Sequence, residues 1–562
     1  WIYPLNHPKR DYQFNIVKHC FFENTLVALP TGLGKTFIAG VVMLNFFHWF
    51  PDGKVIFLAP TKPLVAQQID ASHKSCGIPG SHAAELTGET SRAKRLNAYT
   101  SKRVFYMTPQ TLLSDLISET CNPLDIILIV IDEAHKGSGE HAYTQVIRCM
   151  MAKNPHFRVL ALTATPGGTP EATQGIVDCL HISHIEARDE ESLDIRNYVH
   201  KKEITKHLIP MSGDILKLRD LLIKIMQVRL CNPILKWQTY IAIQATHQDY
   251  SGSRRNAWLP RSSYAALLQN TNMCCGTLNS LLSGVDNEAV NKQVSKSQQD
   301  LQKDRNFQAL IKEIEDQKNR GFSLHPKMEK LRTLLIQHFA NRMIDQEDVE
   351  DNDRGPSGAE DSRVMVFASY RDCVDELVEM LSKESPLVRA TRFIGQATDK
   401  QGRSGLAQRE QVEVIKRFKA GEFNVLVATS IGEEGLDIGE VDMVVCYDAQ
   451  KAPIRMLQRA GRTGRKRCGV VHVLLAEGRE DGNWEKAKEK YKFSQDYIVN
   501  AEELELYADV ERLLPDHVKP ECVERVLEVE EYVREEKVLR KRSHANATGS
   551  PKGKKRKRDD DL

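Results

Sequence analysis

The chain has 562 residues, a formal net charge of +2 and 27% charged residues. Roughly two to four domains are expected, because a single hydrophobic core stops growing well below this length. No run of 18 apolar residues is present, which argues against a membrane-spanning helix. The 12 cysteines lack CxxC spacing, and this usage favours a reduced, intracellular protein. Because the first residue is Trp1 rather than Met, we expect the chain to be part of a longer protein.

Short apolar runs alternate with helical patterns in the first third of the chain. This alternation predicts an α/β lobe over residues 1–188, with a doubly wound parallel sheet covered by helices on both faces. Such sheets hold their ligands outside the carboxyl ends of the strands. The five runs are Thr25 to Leu29, Val55 to Ala59, Val104 to Met107, Ile126 to Ile131 and Val159 to Thr163.

Strand signals fade over residues 189–340, where apolar residues recur at helical spacing. We therefore predict an all-helical insertion, whose apolar stripes pack into a core. One stripe contains Ile215, Leu218, Leu222 and Ile225, and a second contains Met328, Leu331, Leu335 and Phe339. The segment from Trp237 to Arg261 matches no motif.

A second alternating series predicts another lobe of the same class over residues 363–500. An acidic segment with Gly and Pro precedes it, and residues 341–362 are therefore predicted to form a disordered loop. The strand-like runs are Val364 to Phe367, Arg392 to Ile394, Val425 to Ala428, Val444 to Tyr447 and Val470 to Leu475.

The last part of the chain is strongly charged. Acid-rich helical patterns predict helices over residues 501–540, and residues 541–562 are predicted to be a basic disordered tail. The run from Lys552 to Arg558 is typical of a nuclear localisation signal. Two other interpretations are a disordered tail that contacts phosphates and a solvated tail without a targeting function.

A glycine-rich loop, Pro30 to Thr36, lies between a predicted strand and a predicted helix. Backbone N–H groups at such a helix start can surround the phosphates of ATP, while Lys35 contacts the β- and γ-phosphates and Thr36 ligates Mg²⁺. The strict pattern has Gly where this chain has Leu29, so the match is to a relaxed form. The residues predicted to hold ATP here are Thr31, Gly32, Leu33, Gly34, Lys35 and Thr36.

The sequence Asp-Glu-Ala-His follows the apolar run that ends at Ile131. Asp132 is predicted to bind Mg²⁺ through water, and Glu133 to polarise the attacking water. His135 is predicted to couple the site by hydrogen bonds rather than to transfer protons. The hydroxyls of Thr163 and Thr165 follow the next strand and could bond to that histidine or to a carboxylate.

A third segment, from Gln458 to Arg465, lies in the predicted second lobe. Arg462 and Arg465 are three residues apart, on one face of a helical turn, where guanidinium groups can neutralise charge on the γ-phosphoryl group. Catalysis would then require both lobes to close, and product release would open them. Together, the three segments predict an ATP-driven nucleic-acid motor.

These residues resemble a superfamily-two helicase with two RecA-like lobes. The sequence motifs are similar to those of the Fanconi anaemia group M, archaeal Hef and fungal mutator-phenotype helicase family, and most similar to those of its fungal member. The resemblance covers about residues 1 to 500. It rests on Arg10 to Gln13, Leu29 to Thr36, Ala59 to Val65 and Ile431 to Ile438.

The resemblance implies roles for further residues. Gln13 would read the adenine edge with Arg10 and Tyr12 nearby, and Gly435 and Asp437 would meet the ribose. A second set would contact one nucleic-acid strand through its phosphates, without reading sequence. That set is Thr61, Lys62, Thr108, Gln110, Ser369, Arg371 and Thr429.

The family implies ATP and Mg²⁺ as cofactors, 3′-to-5′ polarity, and the remodelling of forks, junctions and D-loops in DNA repair in the nucleus. It also suggests histone-fold and other repair-protein partners, and a helical clamp on branched DNA that includes Arg254 and Arg255. No Glu-Arg-Lys nuclease segment is found, which favours a translocase without DNA cleavage. Two alternatives stay open: a double-stranded RNA translocase of the innate-sensor or Dicer type, and a catalytically silent DNA-binding scaffold.

Overall fold

Two parallel sheets, each flanked by helices, organise the chain. The structure is a computed structural model. It describes residues 1–165, 167, 169–199, 202–230, 305–321, 324–347, 362–395, 405–429, 438–439, 441–448, 469–500, 504–530 and 532. No helix within these ranges is long and apolar enough to span a membrane.

The first lobe contains eight strands and seven helices within its described part. The strands are β1 Ile2–Pro4, β2 Thr25–Ala28, β3 Lys54–Leu58, β4 Ala83–Leu86, β5 Val104–Met107, β6 Ile126–Ile131, β7 Arg158–Thr163 and β8 His184–Ala187. The helices are α1 Asp11–Cys20, α2 Lys35–Trp49, α3 Lys62–Cys76, α4 Arg92–Ser101, α5 Pro109–Ile117, α6 Ala142–Lys153 and α7 Pro170–Leu180.

The main sheet of this lobe has the strand order β4-β5-β3-β6-β7-β2-β8, and all its pairs are parallel. Strands β2, β5 and β7 are buried along their whole length, as expected for a sheet covered on both faces. Two apolar clusters, one on each side of the sheet, form the core. The order places the carboxyl ends of β6, β7 and β2 side by side.

The second lobe is built on the strand order β11-β12-β10-β13-β14-β9, again with parallel pairs. Its strands are β9 Lys202–Ile209, β10 Val364–Phe367, β11 Ala390–Phe393, β12 Val425–Ala428, β13 Met443–Cys446 and β14 Gly469–Ala476. The described helices that follow the first lobe are α8 Gly213–Leu230, α9 Arg305–Asn319, α10 Pro326–Glu347, α11 Arg371–Ser382, α12 Gln408–Lys419 and α13 Arg479–Asn500.

The region predicted to be an all-helical insertion, 189–340, departs from that prediction at both ends. Strand β9 pairs with β14 over its eight residues and forms an edge of the second sheet, so this part belongs to the second lobe. The stripe on α10 packs into the core of the same lobe. Helix α10 also continues to Glu347, into the segment predicted to be a loop over 341–362. Residues 231–304, with the Trp237 to Arg261 segment, lie outside the described residues.

The helices predicted over 501–540 are absent from the described part of that region. Residues 504–530 and 532, named here the C-terminal strap, are extended or irregular and contain one short strand, β15 Val523–Arg525. This strand pairs in parallel with β1, at the opposite end of the chain. Pairing with β1 satisfies backbone groups that a helix would satisfy internally, so tertiary contacts override the local helical pattern. The predicted basic tail, 541–562, lies outside the described residues.

Candidate ATP site and nucleic-acid edge

Three neighbouring strands place the predicted ATP-site residues together. The loop from Pro30 to Thr36 follows β2, the Asp132 segment follows β6, and Thr163 ends β7, which lies between them. In a parallel sheet the carboxyl ends of adjacent strands meet at one edge. Segments that are about 100 residues apart in sequence therefore converge at this edge.

Gln68, on α3, links the two predicted Mg²⁺ ligands through its side-chain amide. Thr36 Oγ1 donates to Gln68 Oε1 at 2.8 Å, and Gln68 Nε2 donates to Asp132 Oδ2 at 2.9 Å. Gln68 is buried, so water competes little for these bonds. Hydroxyl and carboxylate oxygens are ligands that Mg²⁺ prefers, so Thr36 and Asp132 fit the ion chemically. Sequence reasoning missed Gln68, since it belongs to no motif and its partners are distant in the chain.

Asp132 is held in place from several sides. Its backbone N–H donates to the Leu58 carbonyl at 2.9 Å, and its carbonyl accepts a 2.8 Å bond from the buried Tyr143 hydroxyl. Its Oδ1 accepts a 2.9 Å bond from the Glu133 N–H. Burial, together with the charge of Glu133, raises the pKa of Asp132 to about 7, although the Lys35 ammonium opposes this effect. A cation at this carboxylate would stabilise its ionised form.

Lys35 is the first residue of α2 and points back across the phosphate loop. Its Nζ donates to the carbonyls of Leu29 at 2.7 Å and Pro30 at 3.2 Å. The ammonium group of Lys35, which begins the helix after the loop, thus bonds to the residues at the start of the loop that would surround the phosphates. Gly34 caps α2 with a φ of +77°, a left-handed conformation that favours glycine. Of the remaining predicted loop residues, Gly32 is exposed, Thr31 is partly exposed and Leu33 is buried.

Gln13, which is predicted to read the adenine edge, and its neighbour Tyr12 both bond to the phosphate loop. Both side chains are buried and donate to the carbonyl of Leu33, Tyr12 from its hydroxyl at 2.7 Å and Gln13 from Nε2 at 3.0 Å. A Cβ added to Gly34 would lie 2.4 Å from Gln13 Nε2. The left-handed backbone conformation therefore favours glycine at this position, and an added Cβ would displace the Gln13 amide.

Tyr198 packs its ring against the Arg10 guanidinium. The Arg10 guanidinium lies 5.1 Å from the centre of the Tyr198 ring and donates to the Tyr12 hydroxyl at 3.2 Å. The Tyr12 and Tyr198 rings lie 5.4 Å apart. Tyr198 was missed from sequence, since it follows the predicted end of the lobe at residue 188. It precedes β9, and so the chain passes beside the residues predicted to read the base before it enters the second sheet.

Glu133 has an unusual backbone conformation, with φ +51° and ψ +49°. A non-glycine residue in the left-handed region carries strain of roughly 1 kcal/mol or more, and such strain clusters at functional sites. His135 Nδ1 lies 3.4 Å from Glu133 Oε2 and 3.4 Å from Thr163 Oγ1. Thr163 in turn accepts from the Thr165 N–H at 3.1 Å and donates to the Thr165 carbonyl at 2.9 Å. The predicted hydrogen bond to His135 is therefore confirmed for the Thr163 hydroxyl, whereas Thr165 joins the group through its backbone only, since its buried hydroxyl has no hydrogen-bond partner among the described residues.

The predicted nucleic-acid contacts of the first lobe follow two neighbouring strands, β3 and β5. Thr61 precedes the first residue of α3, Lys62, whose Nζ donates to Glu89 at 2.9 Å. Thr108 precedes α5, and its Oγ1 lies 3.1 Å from that of Thr111. Thr61 and Gln110 are exposed. Two helix N-termini, which attract phosphates, therefore open at the same sheet edge.

The second lobe repeats this arrangement on the neighbouring strands β10 and β12. Ser369 follows β10, and its N–H donates to the buried Asp448 carboxylate at 2.5 Å. Arg371 begins α11 and donates from Nη2 to the Gly395 carbonyl at 3.1 Å. Thr429, after β12, is buried, and its N–H donates to the Phe393 carbonyl at 3.2 Å. Ser369 and Arg371 are thus more accessible than Thr429 to a strand at this edge.

The remaining predicted site residues lie outside the described residues. They are Gly435, Asp437, Gln458, Arg462 and Arg465.

Comparison with known proteins finds matches to both lobes and to most of the chain. Residues 6–168 match the family model described as type III restriction enzyme, res subunit, and residues 347–467 match the helicase conserved C-terminal domain. The structure of the Pyrococcus furiosus Hef helicase domain has a TM-score of 0.55 and 30% identity, covering 85% of this chain and 98% of that chain. The chain belongs to the family of Hef-like helicases.

Fungal relatives of the Hef-like family match over most of this chain. Identity is 41% over 558 residues to the ATP-dependent DNA helicase MPH1 of Coccidioides immitis, covering 94% of this chain and 50% of that protein. Identity is 40% over 554 residues to the ATP-dependent DNA helicase fml1 of Schizosaccharomyces pombe, covering 94% and 64%. The chain thus spans about half to two thirds of these relatives. The predicted family and the two RecA-like lobes are confirmed.

Proposed function

We propose that this chain is an ATP hydrolase that moves 3′ to 5′ along DNA and remodels forks, D-loops and junctions in DNA repair. The observation that carries the proposal is the series Thr36, Gln68 and Asp132, joined by bonds of 2.8 and 2.9 Å beside Glu133. This arrangement suits nucleotide hydrolysis. The printed names of the fungal relatives, ATP-dependent DNA helicases, support DNA as the substrate.

Each residue then has a distinct task. Lys35 and the loop backbone would bind the phosphates, and Glu133 would orient and deprotonate the attacking water. A bound Mg²⁺, held by Thr36 and Asp132, would neutralise charge on the phosphate oxygens. Arg462 and Arg465 would stabilise the charge that develops on the γ-phosphoryl group.

The two sheet edges would grip one nucleic-acid strand through its phosphates. Hydroxyls, helix N-termini and cations bind the backbone without reading the bases, so structure rather than sequence would select the substrate. Family membership further suggests a nuclear location, with the run from Lys552 to Arg558 as its signal, and histone-fold repair proteins as partners. The insertion, with Arg254 and Arg255, would act as a clamp on branch points.

The direct test compares ATP hydrolysis by the purified chain with forked DNA, duplex RNA or no nucleic acid. We expect forked DNA to give the strongest stimulation, and Lys35→Ala to abolish turnover while DNA binding is retained. Lys153→Ala, at an exposed position of α6, is the matched control and should behave like the unsubstituted chain.

Each alternative predicts a different result. Preferential stimulation by duplex RNA would assign the chain to the RNA translocases, and DNA binding without hydrolysis would make it a scaffold. Unwinding of substrates with only a 3′ or only a 5′ tail tests the polarity. Charge reversal at Arg254 and Arg255 should weaken fork binding, and unchanged binding would remove the proposed clamp.

A further inference from the structure

Two histidines and two glutamates meet away from the ATP site, where the end of α1 lies beside β8. The rings of His19 and His184 stack with their centres 4.6 Å apart and their planes 18° apart. Glu23 lies just beyond α1, and Glu186 lies two residues after His184 on the strand. Within the described ranges, only His19, Glu23 and His184 form a group of three metal-ligand residues whose donor atoms all lie within 4.8 Å of one another.

The donor atoms of this group converge on one side of the histidine stack. The Nδ1 atoms of His19 and His184 lie 3.8 and 3.5 Å from the same oxygen of Glu23, Oε2. A tetrahedral Zn²⁺ with bonds of about 2.0–2.1 Å separates its ligand atoms by about 3.3 Å. Both nitrogen–oxygen distances are therefore wider than the edge of a zinc tetrahedron, and side-chain movements would have to bring the three donor atoms, which lie within 4.8 Å of one another, closer together.

The opposite side of the stack has the arrangement that metal-binding histidines usually require. Both Nε2 atoms face Glu186 Oε1, at 3.0 Å from His184 and 3.7 Å from His19. The other oxygen of Glu186 lies 3.1 Å from Arg188 Nη1, which holds the carboxylate in place. A histidine that binds metal through one nitrogen commonly donates its other N–H to such a carboxylate, which fixes the tautomer and the ring orientation.

The near-parallel rings must splay for both lone pairs to point at one ion. Partial exposure allows this, since the side chains of His19 and His184 are 51% and 28% exposed. The ring torsion of histidine also has a broad energy minimum. The hydrogen bond that His184 donates to Glu186 raises the pKa of His184, so protons would compete with a metal in acid.

We propose that His19, Glu23 and His184 bind a divalent transition-metal ion such as Zn²⁺, with Glu186 orienting both imidazoles. The ion would join the end of α1 to β8, an edge strand of the first sheet. Helix α1 begins with Asp11 and carries Tyr12 and Gln13, which contact the phosphate loop. A metal at its other end would therefore brace the helix that contacts the nucleotide loop.

The test uses Co²⁺ as a spectroscopic probe, with the full chain in the absence of nucleotide and Mg²⁺. We expect tetrahedral Co²⁺ absorption, removed by added Zn²⁺, with one fewer bound equivalent in His19→Ala and in Glu23→Gln. His156→Ala is the matched control, because His156 is an exposed histidine paired with one carboxylate, Glu511, at 2.6 Å. Zn²⁺ should raise the melting temperature of the unsubstituted chain and of the control, but not of the two ligand variants.

Circular dichroism of each variant separates loss of metal from loss of folding, and Glu23→Gln keeps the shape of an exposed side chain. Equal Co²⁺ stoichiometry in the unsubstituted chain and both ligand variants would overturn the proposal. An octahedral Co²⁺ spectrum in the unsubstituted chain would also overturn it, because the geometry predicts three protein ligands in a tetrahedral set.

Discussion

The side-chain amide of Gln68 donates a 2.9 Å hydrogen bond to the Asp132 carboxylate and accepts a 2.8 Å bond from Thr36. One residue outside every motif thus connects the phosphate loop to the aspartate that is predicted to bind Mg²⁺. The amide restrains the Thr36 hydroxyl and the Asp132 carboxylate, the two groups that would hold Mg²⁺. A residue of this kind is expected to change metal affinity more than the chemical step.

Gln68→Ala should therefore raise the Mg²⁺ concentration needed for half-maximal ATP hydrolysis by about fivefold or more, as expected for the loss of one or two buried hydrogen bonds. The measurement is a Mg²⁺ titration of the steady-state rate at saturating ATP. Gln145→Ala on α6, where the side chain bonds only to the Glu140 carbonyl, is the control. An unchanged Mg²⁺ titration would contradict the proposed role of the amide.

The pKa of Asp132 leads to a prediction about stability and pH. Burial raises this pKa to about 7, so between about pH 4 and pH 7 the folded chain keeps a proton that the unfolded chain has lost. The stability from this proton is complete below about pH 4 and is lost as the pH rises through about 7. Asp132→Asn removes the ionisation, so at pH 8 without Mg²⁺ the variant should melt about 2 °C or more above the unsubstituted chain.

Thermal melts at pH 5 and pH 8 test this expectation. The melting difference should be larger at pH 8, and it should shrink when Mg²⁺ and a nonhydrolysable ATP analogue are added, because a cation stabilises the carboxylate. The variant should also lose ATP hydrolysis. A melting difference that is independent of pH would show that Asp132 ionises normally.

Gly34→Ala should impair nucleotide binding because two separate effects act at this position. The residue has a φ of +77°, and an added Cβ would lie 2.4 Å from Gln13 Nε2. Gly478→Ala is a matched control, since Gly478 has a φ of +94° and nothing within 4 Å of an added Cβ. Only Gly34→Ala displaces Gln13, so only this variant should show a raised KM for ATP and weaker preference for ATP over GTP. Steady-state kinetics with both nucleotides decide, and equal effects of the two substitutions would contradict the prediction.

A buried ion pair stabilises the second lobe. Lys327 Nζ lies 2.5 Å from Glu480 Oε2 and donates to the Tyr447 carbonyl at 3.2 Å, and both charged side chains are buried. Lys327→Met removes the cation beside a buried carboxylate and should lower the free energy of unfolding by about 3–5 kcal/mol. The double variant with Glu480→Gln should recover part of this loss, because the glutamine oxygen can still accept from the Ala476 N–H.

Urea denaturation of the two single variants and the double variant measures the coupling between Lys327 and Glu480. Strictly additive losses would mean that the two charges do not stabilise each other.

The C-terminal strap packs closely over Gly77. This glycine has a φ of +64°, and an added Cβ would lie 2.8 Å from Leu527 Cβ. Gly77→Ala should therefore loosen the strap and speed hydrogen exchange at β15, Val523–Arg525. Gly139→Ala is the control, because Gly139 has a φ of +58° and no atom within 4 Å of an added Cβ. Equal exchange at β15 in both variants would mean that the strap does not depend on this contact.

Local sequence predicted the two lobes and the residues that we propose for their chemistry. In a parallel sheet the strand ends carry the ligands, so the motifs after β2 and β6 could be assigned from the residues around Lys35 and Asp132 alone. Apolar runs predicted the central strands of the first sheet, because a strand that is covered on both faces must be apolar along its whole length. The edge strands β4, β8 and β9 were not predicted, since they lack such runs.

Only the tertiary structure decided which distant segments meet. Gln68 contacts Asp132 from 64 residues away, and β9 joins the second sheet although it lies in the segment predicted to be a helical insertion. The strap is extended despite its helical pattern, because β15 pairs with β1 about 520 residues earlier. Such contacts depend on strand order and on long-range burial, which local periodicity does not encode.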